Sequence, residues 1–120
     1  MTHALVTGGA SGLGAATAAR LRADGIQVTT VDISGDCDLH LNITDDDAIA
    51  TAISTLDDID ILVNSAGVVG PNIPLAETTS QQWHDVMNVN VIGTVAMMRA
   101  VIPGMTKRGW GRIVNIASMA

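Results

Sequence analysis

The stretch TGGASGLG, Thr7–Gly14, decides how the rest of the chain reads. HALVT, residues 3–7, leads into it as a short apolar strand. GLGAATAARLRADG, residues 12–25, leads out of it as a helix. It is rich in the alanine that suits close packing on a sheet, and Gly25 is its stop. Glycines 8, 12 and 14 are spaced G-x-x-x-G-x-G. That is neither G-x-G-x-x-G nor a phosphate loop, which would end in Gly-Lys-Ser/Thr. The physics of a dinucleotide turn still applies. Gly8 suits a tight turn, Gly12 lets a pyrophosphate approach the backbone, and Gly14 lets the helix sit close on the sheet. The first N–H groups of that helix would then face the phosphates. The alternative is a glycine-rich strand-to-helix turn without a ligand. The place of the cluster between first strand and first helix favours the dinucleotide.

Outward from that turn, strands and helices alternate. IQVTTVD, residues 26–32, is a β-branched strand. A second short strand follows near Leu39–Leu41, with no room for a full helix between the two. Thr44 and Asp47 resemble a capping box, and Ile49, Ala52, Ile53 and Leu56 fall on one helical face behind it. Residues 59–64, IDILVN, form the fourth strand. Thr79 and Gln82 form a second capping box. It opens a long helix with Trp83, Val86, Met87, Asn90, Thr94, Met98, Val101 and Ile102 along one stripe, ended or kinked at Pro103–Gly104. Arg112–Ala117 reads as a buried strand that delivers Ser118. Strands too apolar for one wet face, alternating with helices, predict an α/β fold. The expected form is a doubly wound, Rossmann-like parallel sheet of about five strands in three layers. Residues 1–120 read as part of one such domain, with no repeats or linkers.

Composition limits the function. The chain has 120 residues, is 48% hydrophobic and contains no Phe or Tyr, so its core is aliphatic. The net charge is −6 and the six basic residues form no run, which argues against nucleic acid as a partner. No apolar run reaches the ~18 residues of a membrane span. MTHALVTGG is no signal peptide, so a cytoplasmic protein is expected. Cys37 has no partner for a disulfide within the chain and reads as a small loop residue. No metal is expected.

Asp32 ends the second strand eighteen residues after Gly14. A carboxylate there can accept from both hydroxyls of the adenosine ribose and repels a 2′-phosphate, which favours NAD over NADP. An ordinary strand-end aspartate is the alternative.

TGGASGLG, NSAG at 64–67, NVNVIGT at 88–94 and GRIVNIAS at 111–118 resemble, in order and register, the short-chain dehydrogenase/reductase family. The resemblance implies roles. Gly8, Gly12 and Gly14 line the pyrophosphate, and Leu13 donates from its backbone. Ser11 stands where NADP-dependent relatives often carry arginine. Asn64, Ala66 and Gly67 border the adenosine and steady the sheet. Asn42, with Ile43 beside it, takes the place of an aspartate that receives the adenine amino group; its amide oxygen can still accept, so only modest weakening is expected. Asn90 matches the catalytic asparagine that holds a water. As an amide on an apolar stripe it must in any case find partners, and it could serve the kink near Gly93. Ser118 matches the serine that hydrogen-bonds the substrate oxygen during hydride transfer; alone it would read as a strand-terminating serine.

The implied activity is NAD-dependent hydride exchange with a secondary alcohol or ketone, such as a sugar acid, polyol or hydroxyacyl compound. Reduction of 3-oxoacyl thioesters is the rival in the same class. A homodimer or homotetramer is implied as the assembly. A sugar-nucleotide epimerase fits less well, because its glycines are spaced differently. The family's Tyr-x-x-x-Lys motif has no counterpart: there is no tyrosine, and the sole lysine, Lys107, precedes Ser118. The 120 residues alone are therefore expected to be inactive, the N-terminal half of a longer enzyme. The alternative is a naturally short NAD(H)- or partner-binding module. Intact-mass measurement of the native protein separates them. A mass about twice 12.4 kDa is expected, and one near 12.4 kDa would sink the enzyme reading.

Overall fold

In the computed structural model, which describes residues 1–118, β1 (His3–Thr7) runs through the centre of a five-stranded sheet. It is followed by α1 (Gly12–Ala23), β2 (Gln27–Asp32), β3 (Leu39–His40), α2 (Asp46–Ser54) and β4 (Ile61–Asn64). A 3-10 turn (Leu75–Glu77), α3 (Ser80–Met87), a π-helical turn (Asn88–Gly93), α4 (Thr94–Arg108) and β5 (Arg112–Asn115) complete it. The strand order is β3-β2-β1-β4-β5, and every pairing is parallel. All five residues of β1 are buried, as a strand with neighbours on both edges and helices on both faces must be. Period-two alternation sends Leu5 to one side and Val6 to the other. Leu5 joins Val31, Leu62, Met97 and Val101 beneath α2 and α4, whereas Val6 joins Ala18 and Val63 beneath α1. The predicted three-layer α/β architecture is thus present.

The connection from β2 to β3 is six residues long and holds no helix. A parallel crossover ordinarily needs a dozen or more residues. Here β3 pairs over only two residues at the carboxyl end of β2, so the chain need not travel back the length of the sheet. Asp38 completes the edge. Its Oδ2 accepts from the Thr30 N–H at 2.8 Å, the Thr30 hydroxyl at 3.1 Å and Arg22 Nη2 at 3.1 Å. One carboxylate stands in for a strand the sheet does not have.

Several expected details are corrected. The cap of α2 is Asp45, whose side chain accepts from the Ala48 N–H at 3.0 Å, and not Thr44. The capping box of α3 is as expected: Thr79 and Gln82 each accept from the other's backbone N–H. Only part of the stripe expected on the long helix is buried. Val101 is, and so are Gly93, Ala96, Met97 and Met105 outside that stripe, whereas Trp83, Met87 and Ile102 are exposed. Within α4, the π-turn before it, which takes up more residues per turn, shifts the face presented to the sheet. Pro103 does not end the helix. It removes one bond to the exposed Arg99, and the helix runs on to Arg108. Gly109 then stops it, with Gly109 N–H bonded to Thr106 O and Trp110 N–H to Met105 O, a Schellman ending. By length and composition the 29-residue helical run Ser80–Arg108 would be long and apolar enough to cross a membrane, which a count of uninterrupted apolar residues does not reveal. In this fold its α4 part packs on the sheet. Finally, β5 is shorter than expected and is a half-open edge: Val114 and Ile116 are exposed.

The role given to Asp38 is testable. Asp38→Ala leaves the buried Thr30 N–H without an acceptor and should cost about 1–3 kcal/mol of stability, read from the urea midpoint. Asp38→Asn keeps an acceptor and should lose less; equal losses would show that the acceptor is not what matters.

Candidate active site

The carboxyl ends of four strands lie level because their registers match. Thr7 pairs with Val31 and with Asn64, and Asn64 with Asn115. In open α/β sheets this is the end at which ligands bind. The chain leaves β1 through Gly8, at φ 64°, and enters α1 through Gly12, at φ 56°, both in the left-handed region that favours glycine. A Cβ on Gly8 would come within 2.8 Å of the Ser65–Ala66 peptide. One on Gly9 would come within 2.7 Å of Thr30 Cβ, and one on Gly14 would overlap the Gly8 carbonyl. Thr7 ties the same turn to the loop after β4: its hydroxyl accepts from the Ser65 and Ala66 N–H groups at 3.2 and 3.1 Å.

Above the turn opens a cleft of about 450 Å³. Gly8, Ser11, Gly12 and Leu13 line it from the turn, and Asp32 and Ile33 from the end of β2. Residues 65–68 line it from the loop after β4, Val89 from the π-turn and Ile116 from beyond β5. Ser11, at the N-cap of α1, makes no side-chain cap bond, and no acidic residue stands in the first turn. The positive end of the helix is left for an anion. The Asp32 carboxylate is fixed by its own backbone surroundings. Oδ2 accepts from the Ala10 N–H at 3.1 Å and Oδ1 from the Ile33 N–H at 2.8 Å. Each oxygen keeps a second lone pair for a ligand.

The cleft therefore brings together Gly8, Ser11, Gly12, Leu13, Asp32, Ala66 and Gly67 of the residues singled out in the sequence. Gly14 lies beneath it, against Gly8. Asn64 is buried behind it. Its Nδ2 donates to Asn115 Oδ1 at 2.9 Å, and its Oδ1 has no partner among the described residues.

Asn90 is exposed, yet both its polar atoms are engaged. Oδ1 accepts from the Val68 N–H at 2.8 Å and Nδ2 donates to Val68 O at 2.9 Å, a two-point clamp on the loop. The Asn90 carbonyl accepts from the Thr94 hydroxyl at 3.0 Å. Gly67 makes room for the clamp, since a Cβ there would be 3.3 Å from Asn90 Oδ1. Asn42 does not line the cleft, and both lone pairs of its oxygen are taken by Thr44, at 3.0 Å from the N–H and 2.7 Å from the hydroxyl. Ile43 is a core residue, packed against Gly93. Ser118 is exposed, three residues beyond β5. The sequence reading missed Thr7 and Gly9. The second glycine of TGG is the signal that could have found Gly9, since Thr30 of the next strand leaves no space for a side chain.

Known proteins share this arrangement. The sequence pattern described as short chain dehydrogenase matches residues 34–120. A 2-dehydro-3-deoxy-L-rhamnonate dehydrogenase (NAD(+)) from Sphingomonas sp. (strain SKA58) is 38% identical over 133 aligned positions, covering 98% of this chain and 53% of that protein. A 3-oxoacyl-[acyl-carrier-protein] reductase from Vibrio harveyi is 35% identical, covering 97% of this chain and 54% of that one. Among solved structures, NAD+-bound xylitol dehydrogenase superposes with a TM-score of 0.93 at 28% identity, over 99% of this chain and 54% of that one. The chain thus spans about half the length of the curated relatives it matches. Alignments longer than 120 positions mean that these relatives also carry residues, inside the matched region, that this chain lacks. The pattern runs through well over half of the chain, which belongs to the short chain dehydrogenase family of oxidoreductases.

Proposed function

We propose that these residues form a single nucleotide-binding unit of an oxidoreductase that exchanges a hydride between NAD(H) and a secondary alcohol or ketone. The observation that carries the reading is Asp32. Its carboxylate lines the same cleft as the uncapped start of α1, and each of its oxygens keeps a lone pair. The donor set suits the two ends of one ligand. The N–H groups at the start of α1, with Leu13 among them, take the pyrophosphate, and the glycines that no side chain could replace let it approach. Asp32 takes the adenosine ribose hydroxyls and disfavours a 2′-phosphate, and no basic residue stands at Ser11 or in residues 33–38 to reverse that preference. Ala66 and Gly67 border the adenosine.

The bound cofactor supplies the hydride-carrying nicotinamide carbon, and the protein orients it. Ser118 would donate a hydrogen bond to the substrate oxygen as charge develops on it. Asn90 would hold a water next to the site. A sugar acid or a polyol is the preferred substrate class, in keeping with the rhamnonate and xylitol enzymes above; a 3-oxoacyl thioester is the rival, in keeping with the Vibrio reductase. The exposed row Met87, Val91, Val95 and Ile102 is assigned to contact with a second copy. The lack of any tyrosine supports a second reading for these 120 residues alone: they bind NAD(H) without turning it over.

Titration by nicotinamide fluorescence tests the reading. Asp32→Ala should weaken NADH binding about tenfold or more, as loss of charge-assisted bonds implies, and NADPH binding much less. Equal loss for both would refute the ribose role. In a turnover-competent form of the protein, Ser118→Ala should lower kcat by roughly 10²-fold or more while NADH affinity stays the same. Unchanged turnover would remove Ser118 from the mechanism.

A further inference from the structure

We infer that His3 is a tie that works in either charge state. It holds β1 to β2 and to the segment before β4 whether its ring carries one proton or two, and the Thr29 hydroxyl is the group that adapts.

His3 opens β1 at the end of the sheet opposite the cleft, and it is 1% exposed. Water does not serve a ring so placed, so both nitrogens need partners from the protein. Nδ1 lies 3.2 Å from the Asp58 carbonyl oxygen, and Nε2 lies 2.7 Å from Thr29 Oγ1. A carbonyl oxygen only accepts, so Nδ1 is the nitrogen that keeps its proton. With one proton on the ring, Nε2 is the acceptor and the Thr29 hydroxyl donates to it.

A second proton goes to Nε2, which then becomes a donor. Thr29 Oγ1 can receive it, because a hydroxyl both donates and accepts. The hydroxyl hydrogen has to turn away, and Thr29 is half-buried, so solvent can take it. The Nδ1 bond to Asp58 is the same in both states. β1 ends in the glycine turn, so the tie keeps the strand beneath the cleft in register through the change of charge.

The frame around the ring is fixed by other bonds. The His3 N–H donates to Asp60 Oδ2 at 2.9 Å, and the Asp60 N–H donates to the His3 carbonyl at 2.9 Å. The charged groups on the surrounding elements are Asp57, Asp58 and Asp60 before β4 and Arg108 of α4. Arg108 lies 3.4 Å from Asp58 and 3.9 Å from Asp60, and Gln27 of β2 donates to Asp57 at 3.4 Å. Arg112 of β5 is turned over the Trp110 ring. Carboxylates outnumber guanidinium groups here, so a positive ring is not left without counter-charge.

Proton–nitrogen NMR of the purified protein, labelled at histidine, tests the inference. At about pH 8 the His3 ring should carry its proton on Nδ1. On acidification toward about pH 5 it should gain a second proton while the backbone amide spectrum stays native. A ring protonated on Nε2 alone overturns the inference, and so does a ring that takes up no proton until the protein unfolds. Thr29→Val isolates the hydroxyl. At the higher pH it leaves a neutral nitrogen without a donor, and at the lower pH a charged N–H without an acceptor, which costs more. The fall in urea midpoint should therefore be about twofold larger, or more, at the lower pH. Thr29→Ser keeps the hydroxyl and should show no such difference. An equal fall at both pH values for Thr29→Val overturns the inference; if that variant does not fold, the spectra of the unsubstituted protein decide alone.

Discussion

A side chain at Gly14 would occupy the place of the Gly8 carbonyl, and the rest of the structure is arranged around that contact. It presses the first turn of α1 onto the end of β1. The same turn meets its other neighbours in the same way, through side chains that are absent. Gly9 lies against Thr30 of β2, and Gly8 lies against the Ser65–Ala66 peptide that leaves β4. Three elements therefore close on one point from three directions. Because no side chain fills that point, what faces the cleft there is backbone. A helix start with no side-chain cap and no acidic residue in its first turn presents N–H donors to the cleft.

The opposite wall is held by a different kind of contact. The loop after β4 would be free to drift if only its backbone held it. It is instead fastened from both sides, by the Thr7 hydroxyl from β1 and by the Asn90 amide from the π-turn. Each such bond contributes only about 0.5–1.5 kcal/mol net, so the point of the arrangement is position more than stability. The π-turn that carries Asn90 also shifts the face of the helix, which lets Met97, Val101 and Met105 cover the sheet. At the end of the same turn, Gly93 leaves space for Ile43. One irregular turn thus links the loop beside the cleft, the core beneath it and the segment after β3.

The fold was legible because it rests on local patterns: a strand, a glycine turn, a helix, and apolar runs too continuous for one-sided burial. What the pattern does not show is which of several neighbouring groups takes a bond, and where the helical period changes. The stripe through Trp83 and Ile102 assumed an unbroken 3.6-residue period, and nothing in NVNVIG alone announces a π-turn. Thr44 was taken for a cap because Asp47 follows at capping-box spacing. The neighbouring Asp45 caps more directly, and Thr44 is drawn to Asn42 instead. Pro103 reads as a helix end or kink, and the helix runs on through it because the missing N–H falls on an exposed face where solvent can serve the orphaned carbonyl. In the cleft, Gly8, Gly12 and Asp32 could be placed from spacing alone, whereas Thr7 and Gly9 needed to be seen against β4 and β2.

The amides around the cleft carry this furthest. Asn42, Asn64, Asn90 and Asn115 are one residue type, each with two donors and an acceptor of two lone pairs. Asn90 spends one donor and one lone pair on Val68, which fixes its amide against the loop after β4. Asn64 gives one donor to Asn115 and keeps a buried oxygen that has no partner among the described residues, at the joint between the two strands whose carboxyl ends lead to Ala66 and to Ser118. Asn42 is the reverse case: its oxygen is saturated and only its donors remain. Substituting Asn for Asp removes a charge, which is visible in the sequence. That the amide oxygen is already spent follows only from where Thr44 sits. The chemistry that an amide offers a ligand is what its neighbours have left unused.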